Sequence, residues 1–105
     1  MGRAMRQAES DAMSEQREDE VVYRLRTVDL SWRLLNDEMI GLDLQRSEYL
    51  ATNSSGALLW EALAEGATSA GLASLLVERY AIEPEQARGD VERFLVDARE
   101  RGLIA

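Results

Sequence analysis

The sequence predicts an α+β domain in which a three-stranded antiparallel sheet is followed by three helices. Two observations support this class. Apolar and polar residues alternate over much of the segment from Val21 to Thr52, which is the period of strands with one buried face. After Thr52 the apolar residues recur every three or four positions, which is the period of amphipathic helices. Because the strands precede the helices, we expect the helices to lie together on one side of the sheet.

The first 20 residues differ in composition from the rest of the chain. They are polar and acidic and contain no run of apolar residues. Such a segment buries too little apolar surface to offset the entropy lost on ordering. We therefore expect a disordered tail over residues 1–20, dispensable for folding. Residues 21–105 then form one domain, a size that suits a single core.

The strands begin near Val21, where β-favouring residues replace the polar tail. A hairpin is predicted over residues 31–44, with its turn at Asn36 and Asp37, because both residue types tolerate tight-turn dihedrals. In the second arm of the hairpin, strand alternation brings three apolar residues to one face, which we expect to be buried: Ile40, Leu42 and Leu44.

A third short strand is predicted over Glu48–Thr52, and it completes an antiparallel meander. Leu50 faces the core in this strand, so that Tyr49 lies on the opposite, outer face. Tyr49 is therefore either a docking element or a surface residue. The other large aromatic residues fall where a small core needs bulk, which favours packing over ligand stacking: Trp32, Trp60 and Tyr80.

Three helices follow, with recognisable start and stop residues. The segment Asn53-Ser54-Ser55 supplies capping side chains for the first helix, which ends at Gly66, and either Thr68 or Ser69 caps the second. Pro84 suits the first turn of the third helix, and Gly102 ends that helix before Leu103 and Ile104 fold back on the core. The predicted apolar stripes are Leu58, Leu59, Ala62 and Leu63 in the first helix, Leu72, Leu75, Leu76 and Tyr80 in the second, and Val91, Phe94, Leu95 and Ala98 in the third.

The composition excludes most catalytic chemistry. All 12 basic residues are arginine, and histidine, lysine and cysteine are absent. This excludes Ser-His-Asp and Cys-His nucleophiles, a Schiff-base lysine and zinc sites of the His/Cys type. The acidic pairs lie at predicted turns, helix starts and polar faces rather than in a cleft: Asp37 with Glu38, Glu83 with Glu85, and Asp90 with Asp97. We therefore expect no enzyme activity, no metal site and no cofactor.

The charge balance indicates which kinds of partner the protein can bind. The net charge is −8, and the predicted third helix carries four arginines against five carboxylates. Strands followed by three helices also suit a winged-helix-like DNA-binding or protein-interaction regulator, which stays the alternative, but DNA binding needs a basic face. We expect no nucleic-acid partner. No apolar run is long enough for a membrane span and no signal segment is visible, so we expect a cytoplasmic protein.

Several short motifs occur in a fixed order along the chain: Leu42-Asp43-Leu44, Tyr49, Asn53, Gly56-Ala57-Leu58-Leu59-Trp60, Leu63–Thr68, Leu75–Tyr80, and Asp90-Val91 before Gly102-Leu103-Ile104. In this order they resemble the PqqD-like family, the stand-alone RiPP recognition elements that bind leader peptides. The resemblance covers residues 32–105. One departure is that the family usually has Leu-Asn where this chain has Thr52-Asn53.

The resemblance implies a non-catalytic adaptor. It implies capture of the leader of a ribosomally made precursor peptide, which is presented to modifying enzymes such as a protease or cyclase in lasso-type or related biosynthesis. The leader is expected to add as a strand to the edge strand, against the third helix. The implied peptide-binding residues are Glu48, Tyr49, Leu50, Ala51 and Thr52 on the strand, and Asp90, Val91, Phe94, Asp97, Ala98 and Arg101 on the helix.

Two questions stay open at this stage. An exposed edge strand is a template for pairing with a peptide, and it also permits pairing between two copies, so a homodimer is possible at high concentration. The sequence also does not decide which flank of the third helix faces the edge strand, so Arg88 and Arg99 on the other flank stay open as alternative contacts.

Overall fold

The computed structural model describes residues 21–104, so the prediction of a disordered tail over residues 1–20 lies outside the described residues. The elements in chain order are β1 (Val22–Tyr23), β2 (Leu30–Leu35), β3 (Glu38–Asp43), β4 (Glu48–Thr52), α1 (Ser54–Glu65), β5 (Ala67–Thr68), α2 (Ser69–Tyr80) and α3 (Pro84–Glu100). Within this range the predicted α+β class is confirmed, with its three-stranded antiparallel sheet and three helices.

The main sheet has the strand order β2-β3-β4, so that β2 and β4 are both edge strands. Asn36 and Asp37 form the turn between β2 and β3, with φ values of 53° and 68°. Positive φ at both central residues is the turn that matches the twist of two antiparallel strands. The predicted hairpin and its turn are therefore confirmed.

The predicted facing of the second hairpin arm is wrong. Ile40 is 41% exposed and Leu44 is 54% exposed, on the side of the sheet that faces away from the helices. Leu42 points to that same side, because strand side chains alternate. The core face of β3 instead carries Met39, Gly41 and Asp43.

Two features of the core face explain the reversal. Gly41 lies opposite Trp32, and a Cβ atom at position 41 would come within 2.9 Å of the Ser31 carbonyl oxygen and 3.0 Å of the Trp32 Cβ. The site therefore has no room for a side chain. Asp43 is only 1% exposed, yet Arg26 Nη2 donates to its Oδ1 at 2.6 Å. A partner 17 residues away thus makes a buried carboxylate acceptable on the core face.

The pKa of the Asp43 carboxyl reflects both its burial and its hydrogen bonds. Burial raises the pKa of the Asp43 carboxyl, but hydrogen bonds from Arg26 and from the N–H groups of Gln45 and Arg46 lower it more, so that the pKa lies below its ordinary value. Arg26 also donates to the Gly102 carbonyl oxygen at 2.7 Å. The pair therefore joins the β1–β2 connection, the β3–β4 turn and the end of α3.

The first helix, α1, packs on one face of the sheet, against β3 and β4. Helix α2 packs on α1, and α3 packs along α2. The predicted caps are confirmed: Asn53 Oδ1 accepts from the Gly56 N–H at 3.0 Å, and Thr68 Oγ1 accepts from the Gly71 N–H at 3.0 Å. Gly102, with φ of 72°, ends α3 in a conformation that favours glycine. Among the described residues, no helix has the length and apolar composition needed to cross a membrane.

The two ends of the described chain meet. The Arg26 N–H donates to the Leu103 carbonyl oxygen at 2.7 Å, and Leu25 bridges Ile104. Leu103 and Ile104 are buried, which confirms the predicted return to the core. The sequence did not predict the short pairing of β1 with β5.

The predictions for the aromatic residues are confirmed for Trp32 and Trp60 and wrong for Tyr80. Trp60 is buried and Trp32 is half-buried, and their rings meet edge to face with centroids 6.0 Å apart. The prediction that Tyr80 belongs to the core is wrong, because it is 38% exposed and its hydroxyl donates to Ser54 Oγ at 3.3 Å. Tyr80 is the last residue of α2, and a phenol at a helix end reaches polar partners more readily than an interior one. In α1 the buried side includes Ala57 and Trp60, whereas Leu58 and Ala62, which were predicted to be buried, are half-buried.

Candidate functional site

A groove lies among the β4–α1 junction (residues 52–56), the end of α2 and one side of α3. Its volume is about 690 Å³. The short connection between α2 and α3 contributes Ile82, and α3 contributes Phe94, which is half-buried. Leu59 and Leu76 add apolar surface from α1 and α2. The groove therefore has an apolar floor large enough for a bulky side chain.

One flank of α3 faces this groove. Asp90, Phe94 and Asp97 are spaced by four and three residues, so they lie on one side of the helix, and all three line the groove. Arg88 and Arg99 lie on the other flank and line a separate cavity of about 420 Å³. The structure thus places the acidic flank towards the end of β4 and the start of α1, a point that the sequence left open.

The charged groups that line the groove are acidic. Asp90 forms an ion pair with Arg93, and Asp97 Oδ2 lies 3.2 Å from Arg101 Nε. Neither arginine lines the groove itself. Exposed pairs of this kind contribute little stability, so both carboxylates remain available to a positively charged ligand group.

The free edge of the sheet can be read from the hydrogen-bond pattern. The Leu44 N–H donates to the Asp29 carbonyl oxygen at 2.9 Å, one step beyond the pair of Leu30 with Asp43. Bonded and non-bonded pairs alternate along an antiparallel ladder. The even-numbered residues of β3 therefore bond to β2, and its odd-numbered residues bond to β4.

This alternation identifies the main-chain groups of β4 that have no partner within residues 21–104. Glu48, Leu50 and Thr52 lie opposite the odd-numbered residues of β3, so their N–H and C=O groups point towards β3. The N–H and C=O groups of Tyr49 and Ala51 consequently point away from the sheet. These two residues supply a donor and an acceptor each to the free edge.

The implied binding residues occupy different surroundings. Thr52, Asp90, Phe94 and Asp97 are brought together in the groove, while Arg101 reaches it only through Asp97. The remaining residues lie elsewhere: Leu50, Val91 and Ala98 are buried in the core, and Glu48, Tyr49 and Ala51 are exposed on the edge strand.

Sequence reasoning missed part of the groove. Tyr80, Ile82 and Gln86 line it from the end of α2 and the start of α3. The one available signal was Ile82, an apolar residue inside a predicted helix break. Thr52 Oγ1 is buried without a hydrogen-bond partner among the described residues, at the position where the family usually has leucine. Residues 21–104 contain no cluster of acidic side chains suited to a metal ion.

Comparisons with known proteins give the same fold. TbiB1 in complex with the TbiA(beta) leader peptide superposes with a TM-score of 0.71 at 20% identity, covering 77% of this chain and 93% of that chain. A lasso peptide synthetase B1 complexed with the leader peptide superposes with a TM-score of 0.69 at 28% identity, covering 79% of this chain and 96% of that chain. No curated protein matches the sequence. The family of coenzyme PQQ synthesis protein D (PqqD) matches residues 38–104, well over half of the chain, and this chain therefore belongs to the PqqD family.

Proposed function

We propose that this chain is a non-catalytic adaptor that binds the leader of a ribosomally synthesised precursor peptide and presents it to modifying enzymes. The leader adds as a strand to β4, in lasso-type or related biosynthesis. The observation that carries this function is the free edge of β4 beside the groove of α3. The two similar solved structures, both complexes with leader peptides, support the same class of ligand.

Main-chain pairing alone gives only weak binding. Tyr49 and Ala51 offer four hydrogen-bonding groups, and each bond contributes about 1 kcal/mol net. A total of about 4 kcal/mol corresponds to a dissociation constant of about 1 mM. Useful affinity therefore requires a side chain of the leader to bury apolar surface next to the paired strand.

The groove supplies that second contribution. A large apolar side chain seated on Phe94 adds about 1.5–3 kcal/mol, which tightens binding by about 10- to 150-fold. Asp90 and Asp97 at the rim favour arginine or lysine near this anchor. We infer that the preferred leader segment combines a large apolar residue with a basic neighbour.

Chemistry on the peptide belongs to the partner enzymes, such as a protease or cyclase. The absence of histidine, lysine and cysteine from the sequence supports a non-catalytic role. The cytoplasm, where ribosomal precursors arise, is the compartment we propose. The mixed charges of α3 do not favour the DNA-binding alternative.

A proline substitution tests the paired edge. Ala51→Pro removes an N–H that points towards the ligand, so we expect at least a tenfold loss of affinity for the leader of the neighbouring precursor gene, measured by calorimetry. Leu34→Pro is the matched control, because Leu34 lies on the opposite free edge and its N–H also points away from β3. If both variants stay folded and bind equally well, strand addition at β4 is wrong.

Chemical-shift mapping locates the bound leader independently. We expect the largest changes at Glu48–Thr52 and along the Asp90–Asp97 flank of α3. Changes confined to α1 and the Asn36–Asp37 turn would place the peptide elsewhere. A parallel titration with duplex DNA at low and moderate salt distinguishes the alternative, since tighter binding of DNA than of leader would favour a regulator.

A further inference from the structure

A furrow between α2 and α3 runs along the flank of α3 opposite the groove. It consists of two adjoining cavities of about 420 Å³ and about 330 Å³, and Ala70 and Arg88 line both of them. Val96, which is 47% exposed, gives the first cavity apolar surface, and the half-buried Val77 does the same for the second. Residues 21–104 leave this surface partly exposed.

The charged side chains of the first cavity alternate in sign along α3. From the end of the helix towards its start they are Arg99, Glu92 and Arg88. Neither arginine forms an ion pair within residues 21–104, whereas Arg93 and Arg101 of the same helix are both paired with aspartates. This order of charges favours an acidic segment that carries one basic residue at its centre.

The described chain begins at the mouth of this furrow. β1 pairs with β5 in antiparallel register, and one step beyond the pair of Val22 with Thr68 brings Val21 towards Ser69. Ser69 lines the first cavity. The guanidinium of Arg99 lies over the tyrosine ring of β1, 5.8 Å from its centroid, so β1 adjoins the same end of the furrow. The residues that precede Val21 therefore start beside the first cavity.

The sequence of that preceding segment complements the charges of the first cavity. Residues 15–20 read Glu-Gln-Arg-Glu-Asp-Glu, so four carboxylates surround Arg17. Counted back from Val21, the charges run acidic, basic, acidic, whereas those of the cavity run basic, acidic, basic. The lengths also match, because five steps of extended chain span about 16 Å and the 11 residues between the two arginines span about 16 Å of helix.

The second cavity suits the next large apolar residue of the segment. Met13 lies two residues before Glu15. An unbranched methionine side chain adapts to an irregular apolar cavity. Eight steps of extended chain from Val21 to Met13 span about 26 Å, enough to reach the far end of the furrow. The residues that line this cavity besides Ala70 and Arg88 are Ala73, Ser74, Val77, Glu78 and Pro84.

We propose that residues 13–20 of this same chain occupy the furrow, with opposite charges facing each other along α3 and Met13 in the second cavity. Exposed ion pairs are individually weak, but attachment at the mouth of the furrow gives this segment a far higher effective concentration than a separate peptide. The groove repels the segment, because Asp90 and Asp97 line it. The furrow is thus covered by the chain itself, independently of the proposed function, and the groove stays open.

Paramagnetic relaxation in the full chain tests this placement. The sequence has no cysteine, so Ser14→Cys provides a single attachment point for a nitroxide label. We expect the amide signals of Val77 and Arg88 to lose at least half of their intensity in dilute protein. The signals of β4 should keep theirs, because β4 lies on the other side of α3 from the furrow.

Charge reversal on α3 tests the order of the contacts. Arg88→Glu should restore at least half of the lost intensity, because it places a carboxylate against the acidic segment. Adding Glu15→Arg to that variant should bring the loss back, since opposite charges then face each other again. Arg93→Glu is the matched control: it makes the same change in charge, its side chain is 76% exposed, and it lines neither cavity.

Each contrary outcome has a defined meaning. Full intensity throughout α2 and α3 overturns the proposal, and so does a loss centred on β4, which would place the segment in competition with the leader. A loss that passes from a labelled chain to an unlabelled, isotope-enriched one in a mixture also overturns it, because a second copy then supplies the segment. Equal effects of Arg88→Glu and Arg93→Glu, or no rescue by Glu15→Arg, overturn the proposed order of contacts.

Discussion

On both faces of the main sheet, β3 carries residue types that differ from what their burial would suggest. The inner face carries Gly41 and the buried, charged Asp43, whereas the outer face carries the exposed Ile40 and the half-buried Leu42. The inner residues are acceptable because Trp32 fills the space over Gly41 and Arg26 neutralises Asp43. The difference shows that burial depends on two conditions at each position: whether there is space for a side chain, and whether its polar groups find partners. The inner face therefore maintains the fold, and the edge of β4 is the part of the sheet for which we propose a binding role.

The largest expected effect is on the free energy of unfolding, which should depend on the face of the sheet where a residue is replaced. Met39 is fully buried, so Met39→Ala should lower the free energy of unfolding by about 2–5 kcal/mol. Ile40→Thr, at the next residue but on the outer face, should change it by no more than about 0.5 kcal/mol. Urea unfolding of both variants measures this. Equal losses would show that the outer face also contributes to the core.

Phe94 tests whether one side chain can serve both roles. It packs against the core cluster and also lines the groove. Phe94→Ala should weaken leader binding by about 1–3 kcal/mol, because the anchor loses its main contact. The stability loss should stay below the about 3–5 kcal/mol of a fully buried phenylalanine. Calorimetry below the melting temperature separates the two, and unchanged affinity would remove Phe94 from the site.

Asp43 should make the stability that the inner face contributes depend on pH. Its pKa is lowered in the folded state, so its stabilising effect is present above the unfolded pKa of about 3.9 and is lost as the pH falls through the folded pKa. Asp43→Asn should therefore lower the melting temperature at pH 7. The gap in melting temperature between this variant and the wild type should narrow as the pH falls below about 4 and through the folded pKa of Asp43. A gap that is constant with pH would mean that the ion pair is not the cause.

The smallest effect concerns the end of β4. Thr52 Oγ1 is buried without a partner among the described residues, and valine has nearly the same shape. Thr52→Val should raise the free energy of unfolding by about 1 kcal/mol, seen as a higher melting temperature. Thr27→Val, at an exposed position, is the control and should have little effect. A lower melting temperature for Thr52→Val would show that the hydroxyl is satisfied in solution.

Local features of the fold were predictable from the sequence. The Asn36–Asp37 turn and the caps Asn53 and Thr68 depend on residues within three positions of each other. The bounds of β4 and the facing of Tyr49 also followed from local alternation. Such signals need no knowledge of the tertiary structure.

The failures have long-range causes. The facing of β3 depends on Arg26, which lies outside the hairpin, and the pairing of β1 with β5 joins segments about 45 residues apart. The flank of α3 that faces β4 is set by packing along α2. The role of Tyr49 and Ala51 as the free main-chain groups required the register of all three strands.

The contact between Trp32 and Trp60 makes the protein an optical reporter of its own state. Both tryptophans of the sequence lie in this edge-to-face pair, one from β2 and one from α1. Their coupled indole transitions should give a circular dichroism signal that disappears when the sheet separates from the helix. Both indoles lie on the inner side of the sheet, and neither lines the groove. Intrinsic fluorescence should therefore follow the separation of the sheet from the helix on unfolding and respond little to a peptide in the groove.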